Sequence, residues 1–158
     1  MKNKNLRILV LIGVPASGKT SWSKDFVRSN DNWTRVSRDD FREMLKNSGV
    51  VENKVENIIN ELVNSTIEQS LLKKMNVIVD NTNLKEKYIQ DIIEKFKYSA
   101  DIDYQVFDIS LDKAIERDKA RADKNVGAHM ITKMYKDYKV LLDSFSFQPV
   151  SKQTRPHL

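Results

Sequence analysis

Apolar residues fall along this chain in two alternating rhythms. Arg7 to Ile12 is an almost unbroken apolar run of strand length, and Val77-Ile78-Val79 is a shorter one. Runs of this kind read as strands covered on both faces of a parallel sheet. Trp33 to Ser37 and Asp103 to Ile109 are β-prone segments bounded by turn residues, which predicts two further strands. Between them the spacing changes to three and four. Trp22, Phe26 and Val27 mark a helix after the first strand, and Phe41, Met44 and Leu45 mark a short one after the second. The clearest helical pattern runs from Glu52 to Met75, with Val55, Ile58, Ile59, Leu62, Val63, Ile67, Leu71, Leu72 and Met75 on one stripe. Glu56, Glu61, Glu68, Lys73 and Lys74 fall off that stripe and read as its solvated side. Leu84 to Tyr98 predicts a helix with Tyr88, Ile92, Ile93 and Phe96 inward, and Met130, Ile131, Met134, Tyr135, Tyr138 and Leu141 predict another. Asp112 to Asp123 is helical but nearly free of large apolar residues, and Ser144 to Val150 reads as an edge strand before a frayed end. Strands alternating with helices predict an α/β fold, an open parallel sheet with helices on both faces.

Composition narrows the class. A chain of 158 residues suits one domain that buries its own core. Cysteine is absent, which excludes disulfides and Cys-ligated zinc and leaves any metal to oxygen ligands. The first apolar run is six residues, too short for a signal sequence or a membrane span, so a cytoplasmic protein is expected. The formal charge of +5 favours an anionic partner, but the basic excess is spread over the chain and does not by itself mean nucleic acid.

The chemistry begins between the first strand and the first helix. Gly13-Val14-Pro15-Ala16-Ser17-Gly18-Lys19-Thr20 fits the pattern G-x-x-x-x-G-K-[ST], in which backbone N–H groups ring a phosphate ahead of a helix N-terminus. Gly13, Ala16, Ser17, Gly18 and Ser21 would then contact the donor phosphates of ATP. Lys19 would reach the β- and γ-phosphates and the Thr20 hydroxyl would ligate Mg²⁺.

Further candidates fall at the ends of the other strands, the rim where open α/β sheets bind ligands. Arg38-Asp39-Asp40-Phe41-Arg42 follows the second strand. Asp39 or Asp40 could accept a proton from an attacking hydroxyl, and Arg38 or Arg42 could clamp an anion. The same residues also suit a helix start, with acidic groups complementing its dipole. Asp80-Asn81-Thr82-Asn83 follows the third strand, where a P-loop protein carries the carboxylate on the metal side, though the tetrad is equally a turn. Arg117 and Arg121 lie on the basic segment, about residues 112–128, that reads as a lid. His129 and His157 have no neighbours that make a metal or nucleophilic site.

Four stretches together resemble the kinase domain of the phage-type polynucleotide 5′-kinase/3′-phosphatase family. They are Gly-Val-Pro-Ala-Ser-Gly-Lys-Thr-Ser-Trp, Ser-Arg-Asp-Asp-Phe-Arg, Asp-Asn-Thr-Asn-Leu, and Arg117-x-x-x-Arg121-x-x-Lys124-x-Val126 running on to Met134-Tyr135. The resemblance implies transfer of the γ-phosphate of ATP, with Mg²⁺, to the 5′-hydroxyl end of DNA or RNA. It implies Asp39 as general base, Arg42 as clamp on the acceptor phosphate, Thr82 on the acceptor side and Val126 packed near the acceptor base. Lys19, Thr20, Arg117 and Arg121 would serve the donor. The phage-type acidic residue directly before Thr-Asn-Leu corresponds to Asn81, and Asp80 lies one position earlier, as in other branches. The resemblance covers the kinase domain and not the attached phosphatase, so no phosphatase activity is expected. Family members assemble through this domain, yet no stripe marks an interface here. The rival readings are a kinase of a small hydroxylated molecule and a binding module without catalysis.

Overall fold

Strands β1 (Arg7–Ile12), β2 (Trp33–Val36), β3 (Asn76–Val79) and β4 (Asp101–Val106) lie in the order β2-β3-β1-β4, every neighbouring pair parallel. The source is a computed structural model that describes residues 5–156; His157 lies outside them. The helices are α1 (Lys19–Ser29), α2 (Arg38–Lys46), α3 (Asn53–Leu72), α4 (Glu86–Phe96), α5 (Leu111–Lys119) and α6 (Ala128–Ser144). The α/β architecture expected from the sequence is present. Right-handed parallel crossovers in this strand order put α1 on one face of the sheet and α3 and α4 on the other.

Alternation along β1 divides its side chains between those faces. Ile8, Val10 and Ile12 join Val77, Val79 and Ile102 in one core with Val55, Ile59, Val63, Ile67 and Leu71 of α3, Ile89 of α4 and Ile131, Tyr138 and Leu141 of α6. Burying each such aliphatic side chain is worth roughly 1.5–3 kcal/mol, so this face carries most of the stability. On the other face Trp22 stacks on Phe26 at 5.0 Å, and Phe26 meets Trp33 edge-on at 5.2 Å. That aromatic row fixes α1, and with it the loop in front of α1, against the sheet.

Several sequence expectations are corrected here. The buried stripe of α3 is narrower than its periodicity suggests, with Ile58 and Leu72 exposed, because only i, i+4 positions meet the sheet. In α4 it is Ile89 that is fully buried, while Tyr88 points outward. Met130, Met44 and Leu45 are also exposed. Strand β4 begins and ends earlier than the residue pattern predicts, and the tail makes a single antiparallel bridge, Ile102 to Val150, instead of a strand.

Candidate active site

The loop from Gly13 to Gly18 is held by backbone geometry that few residues accept. Ala16 and Gly18 have φ of 63° and 99°, in the left-handed region. A Cβ at Gly13 would lie 2.8 Å from Ser17 Oγ and 3.1 Å from the Phe107 carbonyl oxygen, so only glycine fits there. The Gly13 N–H donates to the Thr82 carbonyl at 3.2 Å, which ties the loop to the end of β3. Asn83 adds a second tie, its amide donating 2.7 Å to the Leu11 carbonyl.

Lys19 sits inside this loop. Its Nζ donates to the Gly13 and Val14 carbonyls, both at 2.8 Å, and to Ser17 Oγ at 3.1 Å. Burial lowers its pKa to about 8; the charges of Asp80 and Asp39 work against that shift and Arg121 reinforces it. Three segments far apart in sequence therefore bring charges to bear on one ammonium. Thr20 and Ser21 are exposed on the first turn of α1.

Beneath the loop lies a buried polar knot. Asp80 Oδ2 accepts from Ser23 Oγ at 3.0 Å and from Arg35 Nε at 2.8 Å, and the Arg35 guanidinium reaches on to Asp40. Asp80 Oδ1 is buried and has no hydrogen-bond partner. A hard, anionic oxygen left unpaired in the interior is costly unless something binds it, so this donor fits a hard dication such as Mg²⁺. Among the described residues no group of three or more His, Cys, Asp or Glu could hold a metal alone.

At the end of β2, Ser37 caps α2 by accepting the Asp40 N–H at 3.3 Å, and Asp39 stands exposed one position before it. Asp39 Oδ1 accepts from Arg42 at 2.6 Å. Glu56 of α3 receives Arg42 through Nε at 2.6 Å and a second nitrogen at 3.2 Å, and it also receives Arg38. The Arg42 hydrogen bond, opposed by burial and reinforced by Arg38, holds the Glu56 carboxyl below the ordinary range. The Arg38 N–H donates to Asn81 Oδ1 at 2.9 Å, so α2 is fastened at both the β3 end and α3.

In the segment expected to form a lid, Asp118 of α5 is 1% exposed and gathers three partners. Arg121 donates to its Oδ1, the Val126 N–H donates at 2.9 Å and the Gly127 N–H at 2.9 Å. Burial opposes its charge, but these donors hold its carboxyl below the ordinary range. Arg121 Nε is buried without a partner, Arg117 is exposed and makes no ion pair among the described residues, and Val126 presents its side chain outward at 41% exposure.

Of the residues singled out in the sequence, Asp39, Asp80 and Arg121 bring their charges to bear on Lys19, whereas Arg117 is exposed at the surface. Sequence reasoning missed Ser23, Arg35, Glu56 and Asp118. Arg35 carried a signal, a charge inside a β-prone segment. Asp118 carried one too, an acid between two lid arginines.

Comparison with known proteins adds an independent line. A family model described as an AAA domain matches residues 8–141. A protein of Autographa californica nuclear polyhedrosis virus, provisionally named a bifunctional polynucleotide kinase/RNA ligase, is 28% identical, with 84% of this chain and 21% of that one covered. A chain of a solved Pnkp1/Rnl/Hen1 RNA repair complex superposes with a TM-score of 0.89 at 30% identity, covering 98% of this chain and 51% of that one. A gluconokinase from Sinorhizobium meliloti has a TM-score of 0.59 at 15% identity over 85% of this chain and 76% of its own, a likeness of fold alone. The chain thus spans about half of the repair-complex chain and about a fifth of the viral relative. No helix among the described residues is long and apolar enough to cross a membrane.

Proposed function

This chain belongs to the AAA-domain family of P-loop proteins, and from that membership we propose that it is the kinase unit of a polynucleotide repair system. The reaction is transfer of the γ-phosphate of ATP to a 5′-hydroxyl end of RNA or DNA. The relatives named polynucleotide kinase support the substrate class, and those in RNA repair complexes favour RNA. The observation that carries the reading is the convergence on Lys19 of charges from the β2 end, the β3 end and the lid.

In the proposed mechanism Asp39 takes the proton of the 5′-hydroxyl as its oxygen bonds to the γ-phosphorus and the bond to the β,γ-bridging oxygen breaks. The exposed position of Asp39 leaves one carboxylate oxygen free while Arg42 holds the other. Arg42 also faces the anionic side of the acceptor. Lys19 leaves the loop carbonyls for the phosphate oxygens, and Arg121 meets the charge that spreads over the transferring group. Thr20 with Asp80 are the residues of this chain that would hold Mg²⁺, which would supply charge neutralisation for the transfer. Arg117 serves at most the outer edge of the donor, Thr82 and Val126 line the acceptor, and the whole acts in the cytoplasm as one domain.

The test is transfer of labelled γ-phosphate from ATP to 5′-hydroxyl RNA and DNA strands, with a 5′-phosphorylated control. Labelling of the free ends, lost by about 100-fold or more in Asp39→Asn with ATP binding intact, supports the proposal. Labelling that survives in Asp39→Asn removes Asp39 as the base, and no labelling of any strand, with ATP bound, favours a small hydroxylated acceptor.

A further inference from the structure

Asp118 is placed to do more than stabilise the lid. It is the second-last residue of α5, and through one carboxylate it reaches across the turn to the N–H of Gly127, the residue that starts α6 with φ of 96°. Gly127 has no side chain to cap that helix, and Asp118 accepts the amides at the helix entrance from outside the loop. The same carboxylate binds Arg121, three residues along. At 1% exposure the Asp118 residue cannot trade these partners for water. The guanidinium it holds keeps donors to spare, since Arg121 Nε is buried and unpaired.

We propose that Asp118 is a positioning residue that couples the two halves of the site, setting Arg121 toward the donor phosphates and Val126 toward the acceptor through one carboxylate. This rests on the kinase reading given above. A buried carboxylate with partners on both sides transmits displacement in either direction: a shift of the Val126–Gly127 amides moves the oxygens that orient Arg121, and the reverse. Donor and acceptor binding would then sense each other through the lid.

The substitution Asp118→Asn is informative because it keeps the shape but loses the charge and turns one acceptor into a donor facing N–H groups. Steady-state kinetics on the full chain are compared with Arg121→Ala and Val126→Ala. The coupling predicts that Arg121→Ala lowers kcat alone, Val126→Ala raises acceptor KM alone, and Asp118→Asn does both, with kcat down about 30-fold and KM up about 5-fold. Asp118→Asn combined with Arg121→Ala is expected to have a kcat within about 3-fold of Arg121→Ala, since both act through one group. Active-site titration by ATP binding removes the effect of a misfolded fraction, which would lower apparent kcat without moving KM. An Asp118→Asn enzyme with unchanged KM, or losses that multiply in the double variant, overturns the proposal. Should the unaltered protein phosphorylate no polynucleotide, the kinase reading fails on its own. Coupling is then decided by slow ATP hydrolysis and by amide exchange at Val126 and Gly127. Asp118→Asn must lower hydrolysis as Arg121→Ala does and speed exchange at both amides; unchanged exchange sinks it.

Discussion

In the phosphate loop the Lys19 ammonium is held by groups of its own turn, the Gly13 and Val14 carbonyls and Ser17 Oγ. In the lid the Arg121 guanidinium is held by a carboxylate that also secures amides eight and nine residues beyond it. The first cation is buried, and desolvation disfavours its charge; the second is half-exposed on an ion pair. A buried lysine ringed by carbonyls is a site under tension that an anion would relieve. An ion-paired arginine at the surface is already satisfied, and in the mechanism proposed above it has to turn from that partner to the phosphate. The loop thus stores its binding energy in place, and the lid depends on how it is hinged.

The strongest way to break that contrast is Lys19→Met. Turnover should fall about 1000-fold, because the mechanism proposed above puts this cation on the transferring group. Stability separates the roles further. The Lys19 pKa is lowered from 10.5 to about 8, so below pH 8 both folded and unfolded chains carry the charge and its burial is a constant cost. Between pH 8 and 10.5 the unfolded chain binds more protons, and stability rises with pH relative to the methionine variant by up to about 3 kcal/mol. Urea unfolding of both proteins across that range checks it; parallel curves would mean that Lys19 is not desolvated in the loop.

What the sequence made legible follows the same division. Loop, strand and helix pattern around Gly13 to Thr20 are contiguous, so their chemistry could be read directly. The two faces of β1 were also legible, since alternation and the i, i+4 stripe of α3 answer to local periodicity. The exchange of Tyr88 for Ile89 was not, because neighbouring apolar residues differ only in which face α4 turns to the sheet. The partners of the site charges were least legible. Arg35 meets Asp80 across 45 residues and Glu56 meets Arg42 across 14, distances that no spacing rule covers.

Arg35 sharpens the comparison at intermediate cost. It lies under the loop but is built like the lid, one side chain joining Asp80, Ser23 and Asp40. Arg35→Met would leave the Asp80 carboxylate buried without its cation, a loss of about 3 kcal/mol or more in stability. Activity at saturating Mg²⁺ should fall about 10-fold, since Asp80 would drift from the place its unpaired Oδ1 now takes. Melting curves and Mg²⁺ titration of turnover read the two effects separately. A variant of unchanged melting temperature would show that the knot does not carry the load ascribed to it.

The smallest effect is expected where the charges are most exposed. Glu56 holds Arg42 and Arg38 from α3, with its side chain 26% exposed, so solvent screens part of each pair. Glu56→Gln keeps the hydrogen-bonding shape and removes the charge. Arg42 then keeps only the exposed Asp39 as an anionic partner, and the clamp proposed above for the acceptor loses its support. Acceptor KM should rise about 5-fold with kcat nearly unchanged, the effect of losing about 1 kcal/mol of binding orientation. Because Arg42 holds Glu56 below its ordinary pKa, the stabilisation from this pair is complete above pH 4.5 and fades as pH falls further, so the stability difference between Glu56→Gln and the unaltered chain should shrink in acid. An equal rise in KM at every acceptor length would locate the loss at the terminal phosphate. A rise confined to long strands would mean that Arg42 works farther along the chain of the acceptor, and that α2 is a track for the strand instead of a clamp on its end.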